Sequence, residues 1–227
     1  MKKFIVPVLS ICFFISCNSD DNSVSDNIVE YRSRAFTPKT TAVNAANEYD
    51  YVGKYHADML DEYLSSYDTI NVLQDVIDDV DNIAGNNQSY LNITGTYVPL
   101  SVTQVQWTLD NSDLPEDIIN NTAMSSLGKS LMGNFVDMLD DLKLQPYNQA
   151  RKNIMNFENS IINNKLLTEA DNQAILGATS ITRFSIQETY PRKRSWSSTK
   201  SGIVASIAAS SPGEAVTLSV AVNMATE

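Results

Sequence analysis

Apolar residues recur at helical spacing over most of the chain. A first stripe, with a period near 3.6 residues, consists of Tyr49, Val52, Gly53, His56, Met59, Leu60, Tyr63, Leu64 and Tyr67. A second stripe consists of Ile70, Leu73, Val76, Ile77, Val80, Ile83 and Ala84. Aspartates lie off the second stripe, and Gly85-Asn86-Asn87 ends it. The two patterns predict amphipathic helices that form an antiparallel hairpin.

Helix-start signals continue through residues 113–190. Asp113 is a candidate N-cap with Pro115 in the first turn, Pro146 opens another helix, and the segment from Thr168 to Asp171 has capping-box spacing. The apolar stripes after these signals are Leu127, Leu131, Phe135, Met138, Leu139 and Leu142, then Ala150, Ile154, Phe157 and Ile161, then Ile175, Ala178, Ile181, Thr182 and Ser185. The expected fold is therefore all-α, or nearly so: a multi-helix bundle.

Two segments leave alternatives open. Residues 88–112 are rich in β-branched and aromatic side chains and contain Pro99, so a short helix and a small β excursion both fit. Residues 202–225 are mostly Ala, Val, Ser and Ile, with a break at Pro212-Gly213. Two short packed helices are the preferred interpretation and a β-hairpin is the alternative. Such small residues also permit membrane insertion or oligomerisation.

The N-terminus carries an export pattern. Lys2 and Lys3 precede an apolar run that is too short to remain as a membrane span, and the run ends in Phe14-Ile15-Ser16-Cys17. This ending resembles the lipobox of bacterial lipoproteins, in which the Cys is lipidated and becomes the new N-terminus. Phe14 departs from the usual Leu. The resemblance implies lipidation of Cys17 and attachment to a membrane through that lipid.

The residues after Cys17 indicate where in the cell the protein is expected. Asn18-Ser19-Asp20-Asp21-Asn22 resembles the surface-export signal of Bacteroidetes-type lipoproteins. We therefore expect an exported protein, lipid-anchored to the outer membrane and exposed at the cell surface. The expected organisation is a signal peptide at 1–16, a lipidated flexible tether at 17–39, a helical domain at 40–190, and a basic hinge with the small-residue C-terminal segment at 191–227.

Within the first predicted helix, Val52-Gly53-Lys54-Tyr55-His56 resembles a Val-Gly-x-x-His segment of uncharacterised Bacteroidetes outer-membrane and surface lipoproteins. The segment covers less than a tenth of the chain. These relatives have no established activity to carry over.

Charge and cysteine content exclude several classes of function. The formal net charge of −11 argues against nucleic acid as a partner, because phosphate binding needs a basic surface. Cys12 leaves with the signal peptide and Cys17 carries lipid, so no thiol remains for a disulfide, a metal or catalysis. The aspartate runs fail EF-hand spacing and are interpreted as solvated helix faces. We expect no metal and no cofactor.

Four further residues are candidates for function. His56 is the only histidine, and with a carboxylate from another helix it could serve a hydrolase of an envelope polymer. A hydrogen-bonded core residue is the preferred interpretation. Tyr51 and Tyr55 flank the first stripe and could stack on a sugar. Thr69, in Asp68-Thr69-Ile70, resembles a Bacteroidetes O-glycosylation site.

The sequence favours a non-enzymatic envelope lipoprotein that binds a partner or has a structural role. The partner, a protein or a glycan, is not specified by these residues. The alternatives are the hydrolase that uses His56 and a C-terminal segment that inserts in a membrane or forms oligomers.

Overall fold

The computed structural model describes residues 41–67, 72–95, 97–189 and 195–227, and it confirms the predicted all-α fold. No strand occurs among these residues. Cys17, the predicted tether, Thr69 and the basic residues 192–194 lie outside them. The helices are α1 (Asp50–Ser66), α2 (Leu73–Asn86), α3 (Gln88–Thr94), α4 (Val102–Asn111), α5 (Pro115–Asn120), α6 (Ser126–Lys143), α7 (Tyr147–Ile162), α8 (Glu169–Thr189), α9 (Trp196–Ile207) and α10 (Pro212–Ala225).

The predicted stripes form the core. In α1 and α2 the buried apolar positions include Val52, Met59, Leu60, Val76 and Val80. These two helices pack against each other, and both also pack against α10. Because the apolar faces meet inside the bundle, Asp75 and Asp78 of α2 are exposed to water. Asp79 and Asp81 are half-buried, and Asp81 accepts hydrogen bonds from Tyr97 and from the backbone N–H of Leu100.

The segment left open at 88–112 contains two short helices, α3 and α4, and no strand where it is described. Asn87 caps α3 by accepting a hydrogen bond from the backbone N–H of Tyr90 at 3.0 Å. Gly95 ends α3 with a φ of 79°, a conformation that glycine adopts without steric cost. Pro99 lies in the connection before α4, where it interrupts no helical hydrogen bond. The short-helix alternative is therefore the one found.

The predicted cap of α5 is wrong by one residue. Leu114, not Asp113, is the N-cap, and Pro115 occupies the first turn. Proline disfavours the helical conformation in the residue before it, so the helix boundary falls directly between Leu114 and Pro115. The other two start signals are confirmed: Pro146 is the N-cap of α7, and Thr168 and Asp171 form the capping box of α8.

The C-terminal segment forms two packed helices, α9 and α10, as preferred from the sequence. α10 is buried on all its faces, from Ala215 to Asn223, because it packs against α1, α2, α8 and α9. Gly202 of α9 allows the close approach, since a Cβ there would lie 2.8 Å from the carbonyl oxygen of Ser219. A helix at the centre of a bundle is apolar all round. Within the described part of the chain, no helix is both long and apolar enough to cross a bilayer.

Candidate functional site

His56, on α1, lies inside the bundle against α8. It has no exposed surface, and its Nε2 is 3.3 Å from Oγ of Ser185, whose side chain is also buried. A serine hydroxyl next to an imidazole has the chemistry of a nucleophile and its base. Both groups are enclosed, however, so a polymer substrate in solvent does not reach them. The arrangement fits the preferred interpretation of His56 as a core residue.

Gly53 sets the distance between α1 and α8 beside this pair. Its backbone N–H donates to Oγ of Ser180 at 3.1 Å, and that hydroxyl donates to the carbonyl of Asp50 at 2.9 Å. A Cβ on Gly53 would lie 2.4 Å from the carbonyl oxygen of Ser180. Since α8 touches the backbone of α1 here, only glycine fits without moving a helix. The Gly53–His56 spacing therefore marks a helix crossing.

A buried ionic network lies next to the His56–Ser185 pair, because Arg183 precedes Ser185 by two residues on α8. Arg183 has no exposed surface, and its Nε is 3.0 Å from the carboxylate of Glu158, which is also fully buried. The guanidinium also pairs with Asp50 and donates to the carbonyl oxygen of Ala42. A buried charge is tolerated only when it is paired and hydrogen-bonded, and this network meets both conditions.

The carboxylate of Glu158 gathers the segment that precedes α1. It accepts hydrogen bonds from the side-chain amides of Asn44 at 2.7 Å and Asn47 at 2.8 Å, and from the hydroxyl of Thr179 at 2.9 Å. Residues 42–50 are thus fastened to α7 and α8 by buried bonds. The end of the domain that follows the predicted tether is held firmly in the bundle.

An open cavity lies where the α3–α4 connection meets the start of α10. Its volume is about 260 Å³, and its lining includes Tyr90, Tyr97, Val98, Gln104, Ser210 and Glu214. This is slightly below the roughly 300–1,000 Å³ of pockets that enclose drug-sized ligands. The cavity therefore suits a ligand the size of an amino-acid side chain or one sugar ring.

Glu214 is the charged group of the cavity. Its carboxylate accepts hydrogen bonds from the side-chain amide of Gln104 and from the backbone N–H of Ser210, the latter at 2.6 Å. The hydroxyl of Ser210 also donates to it. Partial burial disfavours ionisation, but these hydrogen bonds outweigh it and hold the pKa of Glu214 below its ordinary value. The carboxylate is therefore ionised at neutral pH.

Tyr90 and Tyr97 are the two tyrosines that line the cavity. The hydroxyl of Tyr90 donates to the carbonyl of Gly213 at 2.8 Å, and the hydroxyl of Tyr97 donates to the carboxylate of Asp81. The rings lie 6.3 Å apart, edge to face. Burial raises the pKa of Tyr97 and the hydrogen bond to Asp81 raises it further, so this hydroxyl stays protonated.

The structure separates the two tyrosines suggested by the sequence. Tyr55 lies in the core, 6 % exposed, rather than at the expected half-exposed edge. Its hydroxyl donates to the carbonyl of Ser89 at 2.9 Å, and its ring packs on Tyr90 from behind the cavity. Tyr51 is half-buried, with its ring 6.4 Å from that of Tyr49. Tyr55 supports the cavity floor, and Tyr51 is not among the residues that line the cavity.

Among the described residues, no group of three or more His, Cys, Asp or Glu side chains is placed to hold a metal ion. Lipidation of Cys17 and glycosylation of Thr69 concern residues outside the described part of the chain and stay predictions. Comparison with known proteins finds no matching family model, no matching curated protein and no matching solved structure.

Sequence reasoning did not identify Arg183, Glu158 or the cavity. Arg183 is the one charged residue of the sequence between positions 174 and 187, and such an isolated charge in an apolar helix was a signal for a buried ion pair. Nothing in the sequence identified Glu158 as its partner, because the two lie on different helices. Glu214 was visible as an isolated acid in an apolar segment, but the residues it meets come from a distant part of the chain.

Proposed function

We propose that this chain is a lipid-anchored protein of the bacterial envelope that binds a partner without catalysing a reaction. Lipid on Cys17 would hold it at the outer membrane, with the helical domain facing outward on the tether of residues 17–39. The lipobox-like ending at Cys17 and the acidic residues after it support the anchored location. The cavity beside Glu214 supports binding.

The cavity is the observation that carries the binding role. It is open to solvent, whereas His56, the residue with the most evident catalytic chemistry, is enclosed in the core. A pre-formed pocket with aromatic walls and a few placed polar groups is the usual form of a ligand site. Its residues would recognise a ligand by shape and hydrogen bonding. The hydroxyl of Ser210 donates to Glu214, but the lowered pKa of Glu214 makes that carboxylate a weak base.

The strongly acidic composition supports the same role. The formal net charge of −11 disfavours nucleic acid and keeps a surface protein soluble. Membrane attachment then depends on the acyl chains, each buried methylene of which contributes about 0.8 kcal/mol.

The test of anchoring is a comparison of Cys17→Ala with Cys12→Ala. Cells that produce each variant are labelled with radioactive palmitate and separated into membrane and soluble fractions. We expect the Cys12→Ala protein to be labelled and membrane-bound like wild type, because Cys12 lies inside the predicted signal peptide. We expect the Cys17→Ala protein to lose the label and to leave the membrane fraction.

Retention of both label and membrane association by Cys17→Ala would contradict the anchor. So would an unlabelled wild-type protein. The matched cysteine substitution at position 12 separates loss of the lipid acceptor from any general effect of changing a cysteine near the N-terminus.

A further inference from the structure

Several hydroxyl groups that line the cavity beside Glu214 donate their hydrogens to the protein and not into the cavity. Three hydroxyl groups at its walls point their hydrogens at protein acceptors: Tyr90 at the carbonyl of Gly213, Thr94 at the carbonyl of Tyr90, and Ser210 at Glu214. Each such hydroxyl oxygen has acceptor capacity of its own. These three groups therefore present oxygens, rather than hydrogens, to the cavity.

The charge in and around the cavity is negative. Glu214 lines it, and the carboxylate of Asp81 accepts a hydrogen bond from the hydroxyl of Tyr97, another lining residue. Of the described residues that line the cavity, none is Lys, Arg or His. Among the described residues, Gln104 donates to Oε1 of Glu214, whereas the backbone N–H and the hydroxyl of Ser210 donate to Oε2. Oε1 is therefore the oxygen with the more open coordination for a ligand.

The N-terminus of α10 gives the cavity some positive character, but hydrogen bonds within the protein already compensate it. α10 begins at the cavity, and a helix N-terminus carries a partial positive charge. The hydroxyl oxygen of Ser211 accepts the backbone N–H of Glu214 at 3.2 Å, and the Glu214 carboxylate accepts the N–H of Ser210. These bonds occupy donors that an anion would need.

We propose that the cavity beside Glu214 binds a ligand that carries a positively charged alkylammonium group. This inference rests on the proposed binding function and specifies its ligand class. The cationic nitrogen would donate to Glu214, and its alkyl chain would lie against Tyr97 and the exposed Val98. Carboxylate pairing and an adjacent aromatic ring are the two features that favour such a group.

The test measures binding of small probes to the detergent-purified full chain by calorimetry. The probes are Nα-acetyl-lysine methylamide, its Nε-acetylated neutral analogue, n-butylamine, and the neutral sugar chitobiose. We expect the lysine derivative to bind at least about tenfold more tightly than its neutral analogue, since a charge-assisted hydrogen bond is lost on acetylation. Butylamine of equal affinity would indicate free amines as ligands, and a weaker butylamine would indicate a lysine side chain of a protein.

The variant Glu214→Gln tests whether the Glu214 carboxylate binds the ligand, and Glu116→Gln is its matched control. Glu116 is an exposed acid in the first turn of α5, so the control makes the same substitution in the first turn of another helix. We expect Glu214→Gln to weaken the lysine derivative about tenfold or more, and Glu116→Gln to leave binding unchanged.

A second variant covers the case in which Glu214→Gln does not fold. Val98 is 74 % exposed, so Val98→Lys adds a competing ammonium at the cavity mouth at little cost to folding. Its control is Leu144→Lys, at a position that is 80 % exposed. We expect Val98→Lys alone to abolish binding of the lysine derivative.

The inference is overturned if the neutral analogue binds as well as the charged one, if both cavity variants bind like wild type, or if no amine binds. Chitobiose binding at the same site without amine binding would also overturn it, while leaving the proposed binding function in place. Failure of the membrane anchor is judged separately, by the Cys17→Ala fractionation.

Discussion

At the scale of single residues, two glycines inside helices have opposite surroundings. A Cβ on Gly53 would lie 2.4 Å from Ser180, whereas a Cβ on Gly133 of α6 would meet nothing within 4 Å. Gly53 is therefore required by contact between helices. Gly133 only lowers the helix propensity of its own segment.

Gly53→Ala is expected to destabilise the protein by about 1–3 kcal/mol, because α1 and α8 must separate to admit the methyl group. Gly133→Ala, the matched control, is expected to stabilise by roughly 0.5–1 kcal/mol through helix propensity. Urea unfolding followed by circular dichroism measures both. A stabilised Gly53→Ala variant would show that the α1–α8 contact is looser than described.

Arg183 is a second single residue that holds separate parts of the chain together. Its guanidinium reaches Glu158 on α7, Asp50 at the start of α1 and the carbonyl of Ala42, so one side chain joins three parts of the chain. Arginine suits this position because its planar group donates in several fixed directions at once. A lysine has one donor centre and could not satisfy these acceptors together.

At the scale of elements, Asp171 joins two helix starts. Its carboxylate accepts from the backbone N–H of Thr168 at 2.8 Å in the capping box of α8, and from the N–H of Ser125 at 2.7 Å at the N-cap of α6. Burial opposes ionisation, but these hydrogen bonds and those of the two hydroxyl groups outweigh it. They hold the pKa of Asp171 below its ordinary value.

A lowered folded-state pKa gives stability that is present above the unfolded pKa, about 3.9, and is lost as pH falls through the folded value. We expect Asp171→Asn to cost about 1–2 kcal/mol at pH 7, and this difference from wild type to shrink towards pH 3. Thermal or urea unfolding at both pH values measures it. Asp117→Asn, in the exposed first turn of α5, is the control and should cost under about 1 kcal/mol at pH 7. An undiminished difference at pH 3 would rule out the ionised carboxylate as the cause.

Local sequence signals predicted most elements because their causes are local. The stripes of α1 and α2, the capping box at Thr168 and the break at Pro212 each depend on residues within a few positions of one another. Residues 88–112 were ambiguous because β-branched and aromatic side chains suit a strand as well as a buried helix face. Packing against neighbouring helices decided between them, and that information is not in the segment itself.

At the scale of the whole molecule, the features that matter for function were not predictable from one sequence. Ser185 meets His56 across 129 positions, and Gln104 meets Glu214 across 110. The same chain-distant pairing builds the Arg183 network and the cavity. Composition and the N-terminal motif, by contrast, could indicate an exported acidic lipoprotein. Those signals depend on residue types and on neighbouring residues, and not on contacts between distant parts of the chain.

We propose that this bundle is displayed outside the cell on a lipid. Protease shaving of intact cells that produce the protein, with immunodetection of it and of a periplasmic control protein, tests surface display. We expect the protein to be digested while the control survives. Protection of both proteins until the outer membrane is opened would contradict surface display and would place the domain inside the envelope.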